Sequence, residues 1–178
     1  MSSLQKIEFL DIVDDNNNVV GRALKDEVYD KKLSHRIVHV FVLHSDTPAI
    51  YLQKRASTKS FLPNYYCTSA GGHVRSKETY ENAARRELEE EIGITTPIEE
   101  VDSFVFFGEN NHKRFIKVFI TRTNTGFSFP DGEVSDGSFF TIMDAKNLID
   151  KNEKIHPQLK DCFYRLFDKK LLLDFYNK

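Results

Sequence analysis

The chain has 178 residues, of which 40% are hydrophobic and 29% are charged, and its formal net charge is −2. This length suits one domain with a substantial core. The small net charge argues against nucleic-acid polymers as partners, because neutralising phosphates requires a basic surface. Two cysteines make no disulfide framework, no apolar run reaches the ~20 residues of a membrane span, and the N-terminus lacks a signal-peptide pattern. We therefore expect a cytoplasmic protein without a membrane partner.

The first part of the chain reads as short strands joined by polar turns. An N-terminal β extension, about residues 1–33, contains two strands around the turn from Asp14 to Asn18. The apolar run at 35–44 and the alternating run at 49–57 predict a second hairpin around the turn "SDTP". A longer connection then leads to a glycine pair and a highly charged helix.

The second part adds strands and then helices. The stretches "EEVDSFVFFGE" and "HKRFIKVFITRTN" predict an antiparallel pair, and a last strand follows in "GFSFPDGEVSDGSFFTI". The stretch "MDAKNLIDKN" predicts a short helix, and a C-terminal helix is expected over about residues 157–175. The apolar stripe of that helix consists of Leu159, Cys162, Phe163, Leu166 and Phe167. Strands combined with one central and one or two terminal helices indicate an α+β layered domain.

The charged helix lies within residues 71–94, "GGHVRSKETYENAARRELEEEIGI". Its glycine pair permits close backbone approaches, and Gly93 is suited to end the helix. On a helical wheel, the stripe that faces the core consists of Tyr80, Ala84, Leu88 and Ile92. The opposite face, which is expected to meet solvent, carries Asn82, Arg85, Arg86 and Glu89.

A solvated face does not explain all the glutamates of this helix. Glu91 falls inside the apolar arc, where a carboxylate without a partner is unfavourable. Glu87, Glu90 and Glu91 stand at i, i+3 and i+4, so their charges repel one another. Divalent cations relieve such repulsion, because Mg²⁺ prefers carboxylate oxygens. Glu81 also projects onto the arc, but in the first turn its charge complements the helix dipole.

The spacing of this segment resembles the signature of the Nudix hydrolases. Gly72 and Glu78 are followed by Arg86-Glu87-Leu88-x-Glu90-Glu91-x-Gly93-Ile94 at the signature's own distances. The resemblance implies a Nudix-type α/β/α sandwich with a mixed central sheet. On this basis residues 1–178 form a single Nudix domain with its signature segment at 72–94. It also implies Mg²⁺- or Mn²⁺-dependent attack of water on the phosphoanhydride bond of a small diphosphate compound.

The same resemblance implies roles for individual residues. The metal-binding carboxylates would be Glu87, Glu90 and Glu91, one of which would serve as the general base. Arg86 and Glu78 would form an ion pair that orients the site, and the backbone around Gly71 and Gly72 would complete metal binding. A further acid would come from a loop outside the signature. The candidates are Glu109, Asp131, Glu133 and Asp136, with Glu133 first because its loop precedes the last predicted strand.

Beyond the signature, the resemblance covers roughly residues 8–165 and indicates the branch related to isopentenyl-diphosphate isomerase. In that branch an Arg-x-x-x-Lys pattern lies near the substrate diphosphate, and Arg55 and Lys59 match it. Two cations at this spacing suit a pair of phosphates. An ordinary basic strand end is an equally open interpretation of these two residues.

The chain departs from the isomerase at several positions. Gly71 stands where the isomerase has its catalytic cysteine, and Cys67 lies four residues too early to replace it. Two of the isomerase's histidine metal ligands have counterparts in His35 and His73, but the residue expected upstream is Tyr29. His73 therefore stays open as either a ligand or a loop histidine bonded to the backbone.

Three hypotheses about function follow. We favour a hydrolase acting on a nucleoside diphosphate-linked or other small organic diphosphate, because hydrolysis needs only metal and water. The alternatives are an isomerase of isopentenyl diphosphate and a non-catalytic Nudix-fold binding module. A pure binder, however, has no need of the complete set of acids. Assembly as a homodimer is left open by the sequence.

Overall fold

The computed structural model describes residues 7–174. Its strands are β1 (Phe9–Val13), β2 (Val19–Leu24), β3 (His35–Leu43), β4 (Ala49–Arg55), β5 (Tyr66–Cys67), β6 (Ala70–His73), β7 (Glu99–Phe107), β8 (Lys113–Arg122) and β9 (Val134–Thr141). Its α-helices are α1 (Lys25–Asp30), α2 (Tyr80–Ile92), α3 (Ile142–Lys151), α4 (Pro157–Asp168) and α5 (Leu171–Asp174). A 3₁₀ turn, Glu109–Asn111, joins β7 to β8.

A mixed sheet of seven strands crosses the middle of the molecule. Five of them follow the order β5-β4-β3-β8-β7, while β6 pairs with β3 and β9 pairs with β4. β3 and β8 run parallel along the whole of His35–Leu43, and the other pairs are antiparallel. The pairing of β3 with β4 is limited to their ends, because β6 occupies the rest of that edge of β3. The glycine-containing strand β6 therefore lies beside the centre of the sheet.

Helices cover both faces of this sheet. Alternate residues of β3 point to opposite sides, as the two-residue period of a strand requires. Val38, Val40 and Val42 pack with Ala84 and Leu88 of α2. The other face of β3 packs against α3 and α4 and contributes Ile37, Phe41 and Leu43. The predicted α/β/α sandwich with a mixed sheet is confirmed.

The N-terminal hairpin forms a sheet of its own. β1 and β2 pair with each other as a two-stranded sheet, and the carboxylate of Asp14 accepts the N–H groups of Asn16 and Asn18 in the turn between them. The predicted strands and turn are thus present. The sequence did not predict helix α1, which packs the fully buried Val28 against Leu10. The expected extension at 1–33 is therefore not purely β, and its first six residues lie outside the described range.

The C-terminal helix differs from the sequence prediction in its length. The predicted apolar stripe is confirmed, because Leu159, Cys162, Phe163 and Leu166 are fully buried. However, α4 ends at Asp168 and does not continue to residue 175, which lies outside the described range. Lys170 adopts a left-handed conformation with φ 60°, and this turn lets α5 bury Leu172. Within residues 7–174, no helix has the length and apolar character to cross a membrane.

Candidate active site

Helix α2 carries the acidic residues and is capped at both ends. The Thr79 hydroxyl accepts the N–H of Asn82 at the N-terminus, as an N-cap side chain does. Gly93 ends the helix in a left-handed conformation with φ 73°. The helix packs across β6, so that the glycine pair of the strand faces the carboxylates of the helix.

Glu91 is the most deeply buried acid of the site, with 4% of its surface exposed. Its carboxylate accepts hydrogen bonds from the Gln53 side chain and from the N–H of Gly71, both at 2.9 Å. Burial raises the pKa of Glu91 well above its usual value, and the charge of Glu87 adds to this effect. The expectation that Glu91 faces the interior is confirmed.

Glu87 lies directly against the backbone of Gly72. A Cβ atom at position 72 would collide with the Glu87 carboxylate, so only glycine allows this approach. Burial raises the pKa of Glu87 to about 7, although Arg86 beside it acts in the opposite direction. Gly72 thus leaves space for the Glu87 carboxylate, whose pKa is raised.

Arg86 connects four groups of the site. Its guanidinium donates to Glu78 twice at 2.9 Å, to Glu87 at 2.6 Å, to Glu90 at 3.1 Å and to the carbonyl of His73 at 2.9 Å. Burial disfavours the charged guanidinium, but Glu78 and Glu87 outweigh it and raise the pKa of Arg86. The helical wheel placed Arg86 on the solvent face, and this was wrong, because its long side chain bends back toward β6.

Two further charged residues adjoin the cluster and were not identified from the sequence. Arg75 places Nη2 3.2 Å from Glu90 and Nε 3.8 Å from Glu8. The charge of Glu8 also raises the pKa of Glu87. Both contacts arise because β1 docks on the loop before α2, where Leu10 and Arg75 form a β-bridge. No local sequence signal indicates this docking.

The donor chemistry of these carboxylates fits a hard divalent cation. Within residues 7–174, no group of three acidic, histidine or cysteine side chains is arranged to hold one ion. The carboxylates of Glu87, Glu90 and Glu91 are instead bonded to arginine, glutamine and backbone donors. Burial raises the pKa values of Glu87 and Glu91, so their ionised forms are disfavoured despite these donors. A divalent cation would stabilise the ionised carboxylates.

The predicted phosphate-binding residues lie near a loop on another side of the cluster. Arg55 donates from Nε and Nη2 to the carbonyl of Phe61 at 3.2 and 3.0 Å, and Lys59 forms an ion pair with Glu133. The charge of Glu133 contributes to the raised pKa of Glu91, so this loop is within electrostatic reach of the carboxylates. Contact of Arg55 and Lys59 with a substrate stays a prediction.

The other acids named as candidates differ in their surroundings. Burial raises the pKa of Asp131, and the charges of Glu133 and Glu90 add to this effect. Asp136 instead lies near Tyr51, whose pKa it helps to raise after the larger effect of burial. Glu109 belongs to the 3₁₀ turn between β7 and β8. Asp131 and Glu133 are therefore the candidates whose electrostatic coupling to the signature carboxylates is evident.

The ring of His73 belongs to a cluster of aromatic and imidazole side chains. Its Nε2 lies 2.8 Å from the hydroxyl of Tyr29, and its ring stacks on His35 at 5.5 Å. His112 completes the cluster 5.0 Å from His35, and the carbonyl of Leu33 accepts from both of these histidines. Burial lowers the pKa of His73 well below its usual value, with help from the nearby Lys25 charge. The backbone carbonyl of His73, rather than its ring, accepts a hydrogen bond from Arg86.

The position of the isomerase's cysteine is closed to any side chain. A Cβ atom on Gly71 would lie 2.7 Å from both the ring of His39 and the backbone carbonyl of Val38. Cys67, the nearest alternative thiol, is buried, and burial raises its pKa to about 11. Neither position therefore offers the acid that protonation of a carbon–carbon double bond requires.

An acidic helix packed on a glycine-containing strand, inside an α/β/α sandwich, defines the class of this protein. The NUDIX domain family matches residues 33–163. The chain is 33% identical to the Nudix hydrolase YfcD of Escherichia coli strain K12 over 139 residues, which is 78% of this chain and 76% of that protein. This chain belongs to the Nudix hydrolase family, whose members generally use divalent metal ions.

Two further comparisons describe the branch and the fold. The chain is 32% identical to Isopentenyl-diphosphate Delta-isomerase 2 of Photorhabdus laumondii over 153 residues, covering 84% of this chain and 86% of the isomerase. The crystal structure of DR0079 from Deinococcus radiodurans matches with a TM-score of 0.76 at 28% identity, over 89% of this chain and 98% of that one. The isomerase agrees with the branch that the sequence indicated, and the DR0079 structure agrees with the fold.

Proposed function

We propose that this Nudix hydrolase cleaves the phosphoanhydride bond of a small diphosphate compound, with Mg²⁺ or Mn²⁺ held by Glu87, Glu90 and Glu91. The burial of Glu91 beside Glu87 is the observation that carries this proposal. Two neighbouring carboxylates with raised pKa values are unfavourable in a purely structural role, since burial disfavours both charges and the charge of Glu87 further opposes the ionisation of Glu91. A bound divalent cation turns this repulsion into coordination.

The residues around the carboxylates have separate tasks. When bound, the ion neutralises the diphosphate and lowers the pKa of a water molecule. Arg86 and Glu78 orient the carboxylates, and Gln53 and the N–H of Gly71 fix Glu91. A carboxylate whose pKa lies near neutrality is suited to accept the proton of the attacking water, and one member of the trio takes this role.

Substrate phosphates meet the basic side of the site. We assign Arg55 and Lys59 to the diphosphate. Lys59 pairs with Glu133, and the charge of Glu133 contributes to the raised pKa of Glu91, so Lys59 lies within electrostatic reach of the carboxylates. A bound diphosphate takes the place of Glu133 as the partner of Lys59, because the diphosphate is the stronger anion. The partner is therefore a small molecule, and we place the reaction in the cytoplasm, where the free thiols of Cys67 and Cys162 stay reduced.

Isomerisation of isopentenyl diphosphate is the second candidate, favoured by the similarity to the Photorhabdus isomerase. The closed position at Gly71 and the buried Cys67 thiol oppose it. Incubation of the protein with isopentenyl diphosphate and Mg²⁺ separates the two functions. Hydrolysis releases phosphate, isomerisation yields the isomer without phosphate, and a binding module yields neither product from this or any other diphosphate.

Substitution of Glu91 tests the proposed metal site. We expect Glu91→Gln to lower turnover on a panel of diphosphates by about two orders of magnitude or more, the scale seen when one electrostatic partner of a transition state is removed. The fold survives, because glutamine keeps the hydrogen-bonding shape and removes a buried charge. Phosphate release is the measurement, and circular dichroism checks folding.

The matched control is Glu89→Gln, which changes an exposed glutamate of the same helix. It is expected to retain activity. Mg²⁺ should also raise the melting temperature of the wild-type protein and of Glu89→Gln, but not that of Glu91→Gln. Full activity in Glu91→Gln would refute the assignment of the metal site.

A further inference from the structure

A cavity of about 320 Å³ lies between the N-terminal hairpin and the loop that precedes α2. Its lining consists of Ile7, Glu8, Phe9, Arg22, Arg75, Ser76 and Lys77. Three of these side chains are cationic and one is acidic, so the lining has a formal charge of +2. The volume suits a small polar group, and the charge suits an anion.

Backbone contacts hold the two walls of this cavity together. The N–H of Ser76 donates to the carbonyl of Phe9 at 2.7 Å, and the N–H of Lys77 donates to the Asp11 carboxylate at 3.1 Å. The β-bridge of Leu10 with Arg75 adds a third connection. Lys77 adopts a left-handed conformation with φ 68°, which these contacts maintain. The cavity is therefore a fixed feature of the fold.

Two of the three cations are available to a ligand. Arg22 lies over the ring of Phe9, 5.3 Å from its centroid. Among residues 7–174, no acidic side chain forms an ion pair with Arg22 or with Lys77. A phosphate monoester carries about −1.5 to −2 charges near neutral pH, which balances the lining.

Arg75 stands between this cavity and the carboxylate cluster. Its guanidinium lines the cavity and places Nη2 3.2 Å from Glu90, one of the three signature carboxylates. A ligand in the cavity is thus separated from Glu90 by a single side chain. A substrate whose diphosphate lies at the carboxylates can therefore extend a second group into the cavity.

We propose that this cavity is a substrate subsite for a phosphate monoester carried beyond the scissile diphosphate, bound by Arg22 and Lys77 with Arg75 at its inner wall. The inference rests on the proposed hydrolysis and specifies its substrate class. The favoured substrates are diphosphate compounds that carry an additional phosphate, and Arg22 and Lys77 determine that preference. Charge-assisted hydrogen bonds from arginine and lysine supply the affinity.

Binding of inorganic phosphate to the metal-free protein tests the subsite independently of hydrolysis. Calorimetry in the presence of a chelator should give saturable binding that weakens about tenfold in Arg22→Gln and in Lys77→Asn, since each removes one charged donor. Asparagine is chosen at position 77 because it tolerates a left-handed conformation. Lys160→Gln, an exposed change on α4, should keep the wild-type affinity.

Several results would overturn the subsite. One is an affinity that is unchanged in Arg22→Gln and Lys77→Asn, and another is binding lost in Lys59→Gln instead. Equal affinity for phosphate, acetate and chloride would indicate only a diffuse positive surface. Absence of saturable phosphate binding by the folded wild-type protein would also reject the proposal.

Matched substrates test the role in specificity. With Mg²⁺, the wild-type protein should hydrolyse NADPH with a kcat/KM about tenfold above that for NADH, which lacks the extra phosphate, and coenzyme A should exceed its dephospho form in the same way. Lys77→Asn should bring both ratios close to one. Ratios that Lys77→Asn leaves unchanged contradict the subsite. A failure of the hydrolase proposal would give a different result. No diphosphate would then be hydrolysed, while phosphate would still bind the metal-free protein.

Discussion

At the scale of single residues, Arg86 is the group on which the order of the site depends most. Its planar fork spans Glu78, Glu87 and Glu90 and also reaches a backbone carbonyl. Lysine retains the charge but offers one point donor in place of this fork. We expect Arg86→Lys to lower the free energy of unfolding by about 1–3 kcal/mol, because partly buried acceptors lose their partners. Urea unfolding followed by circular dichroism measures the change.

The neighbouring Arg85 provides the control for this substitution. Arg85 is exposed and, among residues 7–174, forms its ion pair with the exposed Glu81 one turn earlier. Such surface pairs contribute little, so Arg85→Lys should change the free energy of unfolding by less than about 0.5 kcal/mol. Equal effects of the two substitutions would show that Arg86 does not organise the site.

Residue environments were predictable where the backbone direction decides them. The helical wheel predicted correctly that Glu91 faces the interior, because its Cβ leaves the helix on the apolar side. It failed for Arg86, whose flexible side chain turns back to the cluster from an outward-facing Cα. Arg75 and Glu8 were missed for another reason. They reach the site through the docking of β1, which no local periodicity records.

At the scale of elements, the C-terminal end of α2 requires glycine at position 93. Gly93 has φ 73°, and a Cβ atom there would also collide with the Ser128 side chain. Gly126 has a similar φ of 88°, but a Cβ there would meet nothing within 4 Å. Gly93→Ala therefore adds a steric collision to backbone strain, whereas Gly126→Ala adds the strain alone.

We expect Gly126→Ala to cost about 1 kcal/mol of stability, and Gly93→Ala to cost about 1–3 kcal/mol more than that. Thermal unfolding of both variants beside the wild-type protein measures the difference. Because Gly93 lies two residues after Glu91, Gly93→Ala should also weaken Mg²⁺ binding. Equal destabilisation by the two substitutions would mean that the contact with Ser128 relaxes without penalty.

Most elements followed from local sequence patterns. The apolar run at 35–44 predicted β3 and the alternating run at 49–57 predicted β4, and the stretches that contain β7, β8 and β9 were also predicted as strands. Helix α1 was missed, since its six residues are too few to show a helical period. The break after Asp168 was missed as well. It depends on the left-handed turn at Lys170, and lysine residues carry no turn signal.

At the scale of the whole molecule, the order of the sheet lay beyond any local pattern. β3 and β8 are far apart in the sequence, yet they pair in parallel along the entire length of β3. Sequence periodicity indicates which strands form, but their neighbours are decided by the packing of complete faces. The layered α/β/α arrangement came from the family resemblance, whose signature segment, residues 72–94, joins a strand of the sheet to a covering helix.

Buried imidazoles give the whole fold a pH dependence that can be worked out in sign. His39 is 3% exposed and is bonded to Thr68 and Gln158 beneath β6. Burial lowers the pKa of His39 to about 4, and likewise lowers that of His35 to about 4 and that of His156 to about 3. The unfolded chain binds protons on these residues below about pH 6.5, whereas the folded chain does not. The stability that these histidines contribute is therefore complete above about pH 6.5 and is lost as the pH falls toward 4.

The contribution of His39 can be isolated by comparing the wild-type protein with His39→Gln. Glu87 and Glu91 have raised pKa values and act in the opposite direction, but they are present in both proteins and cancel in the difference. We expect the stability advantage of the wild-type protein over His39→Gln to shrink by ~3 kcal/mol between pH 7.5 and pH 4, which corresponds to the lowered pKa of His39. Urea titrations at a series of pH values measure this difference. A constant difference across that range would show that His39 takes up its proton equally well in the folded and unfolded chains.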